Sequence, residues 1–135
     1  MSKPEIDPQV GKQEVATFIA KHVDRSKYSQ KEIADMCGFN SPNVITMIKQ
    51  GLTKLPIEKI SKLAKALDLD RIELFTFVMA RYRPKELEVI EDIYGESINE
   101  AERRVVRLLR ETIPEGALSS NPLYYMDKIR TALTD

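Results

Sequence analysis

The residues of this 135-residue chain best placed to do chemistry are Asn43, Thr46, Met47 and Gln50, in the stretch SPNVITMIKQG. On a helix these positions, i, i+3, i+4 and i+7, form one stripe. Two carboxamides, a hydroxyl and a thioether are poor acid–base catalysts but good readers of base edges. A carboxamide pairs bidentately with adenine. Thr46 can hydrogen-bond a base or touch a thymine methyl, and Met47 can meet such a methyl. The stripe faces outward if Ile45 and Ile48 point into a core, with Val44 and Leu52 beside them. The alternative is that Met47 wraps into the core and Asn43 merely caps its helix.

Catalytic and metal-based chemistry finds little support. His22 is the sole histidine and sits on an apolar helical stripe, so it reads as packed or surface-lying. Cys37 is the sole cysteine, which excludes an intrachain disulfide, and its apolar neighbours mark it as a small core residue. One histidine and one cysteine do not make a zinc site. There is no glycine-rich phosphate loop. The carboxylates of ELEVIEDIYGE alternate with apolar residues as a solvent face would. No enzyme activity, cofactor or metal is therefore expected.

The elements that must position the stripe are helical throughout, so the fold class is all-α. Asp7 and Pro8 suit an N-cap followed by proline at the first helical position, and the first helix should run to about Asp24. Ser29 and Glu32 have capping-box spacing and open a helix to Cys37. Ala34 is small enough for a close helix crossing, and Gly38 can take the left-handed turn that follows. The next helix spans about Pro42 to Gln50 and stops at Gly51. A fourth starts near Pro56 and presents Ile57, Ile60, Leu63, Ala64 and Leu67. Asp70 and Glu73 open a fifth, carrying Ile72, Phe75, Val78, Met79 and Tyr82. Pro84 marks a domain boundary, giving residues 1–83 as one domain and 84–135 as a helical extension. In the extension, Leu87, Ile90 and Ile93 make a short helix stopped at Gly95. Val105, Leu108, Leu109 and Thr112 form a stripe ringed by arginines. PEGALSSNP is a break before a last helix with Tyr125, Met126, Ile129 and Leu133.

Formal net charge is zero, but its distribution is uneven. Residues 1–83 carry 14 Lys/Arg and 10 Asp/Glu, and residues 84–135 carry 7 and 11. Residues 20–65 alone carry 9 and 4. A basic front and an acidic back fit a DNA-facing module joined to something that does not face DNA. MSKPEIDPQV lacks the apolar core of a secretory signal, and no run is long enough to span a membrane, so the cytoplasm is the expected compartment.

From about Val15 to Phe77 the chain resembles the Cro-repressor-like, or XRE, helix-turn-helix family. The resemblance is carried by Gln30, Ile33, Ala34, Gly38, Phe39, Ile45, Ile48 and Gly51, followed by LAKALDLDRIELF from Leu63 to Phe75. The interval from Gly38 to Gly51 is one residue longer than the family's usual pattern. Placing the extra residue in the turn, around Asn40 and Ser41, keeps Ile45 and Ile48 on the core side. The resemblance implies a five-helix DNA-binding domain and a phosphate contact from Gln30.

Helix ends and turns should supply the other phosphate contacts. Ser29 and Gln30 open a helix whose first amides can meet an anion. Asn40 and Ser41 precede the recognition helix, and Lys49 and Lys54 flank its far end. The expected function is sequence-specific transcriptional regulation, with repression as the mode, by a homodimer on a two-fold DNA site in a bacterial or phage-type nucleoid. The alternative is a protein-binding adaptor or antitoxin-like module that grips a partner through residues 84–135.

Overall fold

The computed structural model describes residues 7–95 and 98–134. MSKPEI, part of the segment read above for a signal, lies outside them. Every regular element among the described residues is helical. No helix among them is long and apolar enough to cross a membrane. The chain divides into two compact units, residues 1–100 and residues 101–135.

The first unit begins with α1 (Pro8–Arg25), α2 (Gln30–Cys37) and α3 (Asn43–Lys49). A single 3-10 turn (Ile57–Lys59) leads into α4 (Ile60–Ala66), followed by α5 (Arg71–Tyr82) and α6 (Pro84–Tyr94). Its core is aliphatic. Val15, Ile19, Ile33, Ile45, Ile48, Leu55, Leu63 and Val78 are each at most 1% exposed. Burying each such side chain contributes about 1.5–3 kcal/mol, enough for five short helices to hold one another where none would persist alone.

Caps set the helix starts as the spacing predicts. Asp7 accepts the Gln9 N–H at 2.8 Å and Pro8 follows at the first position. Ser29 and Glu32 form both halves of the capping box. Asp70 accepts the N–H groups of Ile72 and Glu73, and its other oxygen takes the Glu100 N–H at 2.6 Å. The Glu100 amide, followed by those of Glu73 and Ile72, lowers the Asp70 pKa by stabilising the carboxylate.

One C-terminal device ends α2, α3 and α4. Gly38, Gly51 and Asp68 each take a positive φ, and the next residue's N–H returns to a carbonyl five residues back: Phe39 to Ala34, Leu52 to Met47, Leu69 to Ala64. Glycine accepts this conformation without a Cβ penalty. Asp68 adopts it without that freedom, a stop the sequence pattern did not suggest.

The helices α1 and α5 touch at the backbone. A Cβ on Gly11 would lie 2.6 Å from the Arg81 carbonyl oxygen. Around this crossing Arg81 pairs with Glu14 at 2.8 Å and stacks 3.6 Å from the Phe77 ring centroid. Phe18 lies between Phe77 and His22, and His22 Nδ1 donates to the Phe18 carbonyl. His22 is thus a packed residue, one of the two states its apolar stripe allowed. Cys37 is fully buried, and burial raises its thiol pKa against the opposing pull of Lys59 and Lys62.

Three expectations change. The chain turns at Pro84, but α6 folds back onto α5 and buries Leu87, so the compact unit extends past residue 83 to Glu100. Ile57 lies on the 3-10 turn and is exposed, because three residues per turn rotate it off the α4 stripe. The acidic residues of α6 belong to the first unit, so residues 1–100 carry 15 Lys/Arg against 16 Asp/Glu and residues 101–135 carry 6 against 5. The basic character is confined to the stretch around α2 to α4.

The second unit holds most of α7 (Glu100–Thr112), a one-turn α8 (Ala117–Ser120) and α9 (Pro122–Thr134). The segment expected as a plain break thus contains a turn of helix. None of the unit's described residues is buried. Val106, Leu109, Ile113, Tyr125 and Ile129 are half-buried. Val105, Leu108, Met126 and Leu133, which the sequence placed on the apolar stripes, are exposed. The half-buried positions on and just after α7, Val106, Leu109 and Ile113, thus lie one position round the helix from the expected stripe.

Candidate nucleic-acid interface

The helix α3 is positioned by its own core residues. Ile45 and Ile48 are each 1% exposed, and Val44 packs partly against the same cluster. That burial fixes the rotation of α3. Asn43 and Gln50 are exposed at its two ends, and Thr46 and Met47 are half-buried between them. Leu52 does not join the inner face. It is 65% exposed, because the left-handed Gly51 reverses the chain before helical spacing reaches it.

The turn before α3 is built by its polar residues. Ser41 Oγ accepts the Asn43 N–H at 3.1 Å. The Ser41 and Pro42 carbonyls accept from Val44 and Ile45. This bond lies in the turn and α3 has no side-chain cap, so the exposed Asn43 carboxamide does not serve as one. Asn40 is exposed at the tip of this turn.

A chain of polar contacts joins α1, α2 and α3. Gln30 Nε2 donates to the Pro42 carbonyl at 3.1 Å and to Thr46 Oγ1. Gln30 Oε1 accepts from Lys49 Nζ at 3.5 Å, and Lys49 in turn pairs with Asp24 at 2.7 Å. Both N–H bonds of the Gln30 amide are therefore engaged within the protein. The backbone N–H at the start of α2 remains the donor that helix geometry leaves without an intrahelical partner. Lys49 likewise has its charge held by Asp24, and its side chain is only 22% exposed.

The remaining expected phosphate residues separate into two places. Ser29 is exposed at the opening of α2, with its oxygen accepting the Glu32 N–H. Lys54 lies elsewhere: its ammonium sits 5.1 Å from the Tyr82 ring centroid, beside a cavity of about 270 Å³ also lined by Arg81, Arg83 and Lys85. Tyr82 Oη accepts the Leu55 N–H at 3.0 Å and ties the loop after α3 to the end of α5. Burial raises the Tyr82 pKa.

Sequence reasoning missed Asp24 as a site residue. Its partner is 25 positions away, and nothing in the local pattern links the end of α1 to the end of α3. Among the described residues, no group of three or more His, Cys, Asp or Glu side chains is placed to hold a metal ion.

Residues 19–74, from the middle of α1 into α5, match the helix-turn-helix family. No curated protein and no solved structure matches the chain. The matched span takes in the capped α2, the Gly38 turn and α3. Over residues 19–74 the match supports a Cro-repressor-like, XRE-type helix-turn-helix domain, a kind of domain found in DNA-binding regulators.

Proposed function

We propose that the protein is a sequence-specific transcriptional repressor that binds as a homodimer to a two-fold operator and lays α3 of each protomer in the major groove. The observation that carries this reading is the rotation of α3. With Ile45 and Ile48 buried, Asn43, Thr46, Met47 and Gln50 make up its outer stripe. In this reading the four meet base edges. Ser29, Asn40, Ser41 and the first amides of α2, including that of Gln30, meet phosphates. Lys49 and Lys54 add positive charge, with Lys49 exchanging Asp24 for a phosphate. The excess of 9 Lys/Arg over 4 Asp/Glu in residues 20–65 supports an anionic partner on this side. Such a regulator works in the cytoplasm, on the nucleoid.

The second unit supports the homodimer. A 35-residue unit with no buried residue among those described has an incomplete core, and association is one of the ways units this short complete theirs. Two recognition helices would then enter grooves about 34 Å apart. The same exposed side chains would also suit a different protein partner, which is the second reading.

Selection of bound sequences from random DNA tests the proposal. The expected result is an inverted repeat with half-sites about one helical turn apart, bound with an affinity that falls steeply as salt rises. Joint replacement Asn43→Ala and Thr46→Ala should alter the selected sequence. Failure to select any sequence, or a selected sequence indifferent to these replacements, would overturn the assignment of α3.

A further inference from the structure

The contacts around Gln30 bear on which base edge Thr46 can read. The Gln30 amide faces three groups: the Pro42 carbonyl, the Thr46 hydroxyl and the Lys49 ammonium. A carbonyl only accepts hydrogen bonds and an ammonium only donates them. These two neighbours leave the amide one orientation. Its NH2 must point to Pro42 and Thr46, and its oxygen to Lys49. The Pro42 carbonyl alone requires this orientation, so it holds whether Lys49 stays with Asp24 or turns to a phosphate.

The direction of the Gln30–Thr46 bond follows. Nε2 donates and Thr46 Oγ1 accepts, which leaves the Thr46 O–H proton to be donated elsewhere. A threonine hydroxyl in a helix commonly returns to the carbonyl four residues back, here Pro42. That carbonyl already accepts from the Ile45 and Thr46 amides and from Gln30, so it has no lone pair in reach for a further donor. The side left for the proton to be donated on is the outer one, toward the stripe between Asn43 and Gln50.

We propose that Gln30 is a positioning residue that sets Thr46 as a hydrogen-bond donor, so that the base pair facing Thr46 is selected for an acceptor edge. The inference rests on the DNA-binding reading of α3 given above. In the major groove the acceptors are guanine O6 and N7, adenine N7 and thymine O4, whereas cytosine N4 and adenine N6 are donors. Thr46 therefore favours guanine or thymine at its position and disfavours cytosine. Gln30 reads no base itself.

The test uses the full-length protein and libraries of selected DNA. Thr46→Val, which keeps the shape and removes the hydroxyl, locates the base pair that Thr46 faces. At that pair the wild type should prefer guanine or thymine over cytosine by about fivefold to tenfold, the discrimination one hydrogen bond supplies. Gln30→Glu puts acceptors opposite Thr46, so its hydroxyl donates inward and presents lone pairs to the DNA. The preference should then move toward cytosine or adenine. Gln30→Met removes the donor without adding charge and should flatten the preference at that pair alone. Unchanged preferences at the pairs facing Asn43 and Gln50 would show that both variants keep the fold. If the wild type selects no DNA, the DNA-binding reading itself fails. If it selects DNA, but Thr46→Val alters no position or the Gln30 variants lower affinity equally for every sequence, the positioning role is overturned while DNA binding stands.

Discussion

Asp24 illustrates how a single residue can restrain a binding surface. Its carboxylate holds the Lys49 ammonium at 2.7 Å and places a negative charge beside the face proposed for phosphates. The exposed aspartate and the mostly covered lysine make a pair of modest strength, within reach of competition by a polyanion. Asp24→Asn should raise DNA affinity about threefold to tenfold and steepen the salt dependence by about one phosphate contact. Fluorescence anisotropy over a salt series would read both quantities. An unchanged slope would mean that Lys49 stays with the protein in the complex. Residue identity showed that position 49 was basic and near the site. Only the fold showed that its charge was already engaged.

At the scale of elements, the α1–α5 crossing has the most to lose from a small change. Helix propensity favours alanine over glycine by about 1 kcal/mol, so Gly11→Ala would stabilise an isolated α1. In the protein the new methyl would lie 2.6 Å from the Arg81 carbonyl oxygen, a backbone atom that moves only if α5 moves. The clash should win, with a net loss of about 1–2 kcal/mol in a denaturant melt. A gain in stability would show that the two helices separate easily. The crossing was silent in the sequence because Gly11 falls inside an otherwise ordinary helical stretch. The ends of α2 and α3 were legible for the opposite reason. Ser29, Glu32, Gly38 and Gly51 act through neighbours three to five positions away, so their effect is written locally.

On the scale of the whole molecule, two units of unequal completeness share one chain. The first has a closed aliphatic core, and the second has none among its described residues. If a second copy completes it, sedimentation of the full chain at micromolar concentration should show a dimer. The double replacement Val105→Asp and Leu108→Asp should shift it to monomer. Both side chains are more than half exposed, so the charges should cost the monomer little, within about 0.5 kcal/mol each. A dimer indifferent to the replacement would place the interface in the first unit. The division also removes the picture of an acidic tail. Pro84 marked a real corner, but a corner in the chain need not be a domain boundary when the next helix returns to bury Leu87.

The sequence by itself determined the all-α class, the helix-turn-helix from Ser29 to Gly51, the inward face of α3 through Ile45 and Ile48, and the packed state of Cys37. Each follows from spacing within a few residues, where helix geometry alone relates the side chains. Tertiary structure decided how the polar groups are engaged. Asp24, Gln30, Thr46 and Lys49 come from three helices, and the direction of their hydrogen bonds depends on which donors and acceptors meet after packing. It also decided that α6 belongs to the first unit, that Lys54 rests on Tyr82, and that the outer arcs of α7 and α9 stay uncovered. A helical pattern states that a face is apolar. Whether anything covers that face is settled only by the shape and reach of the neighbouring elements.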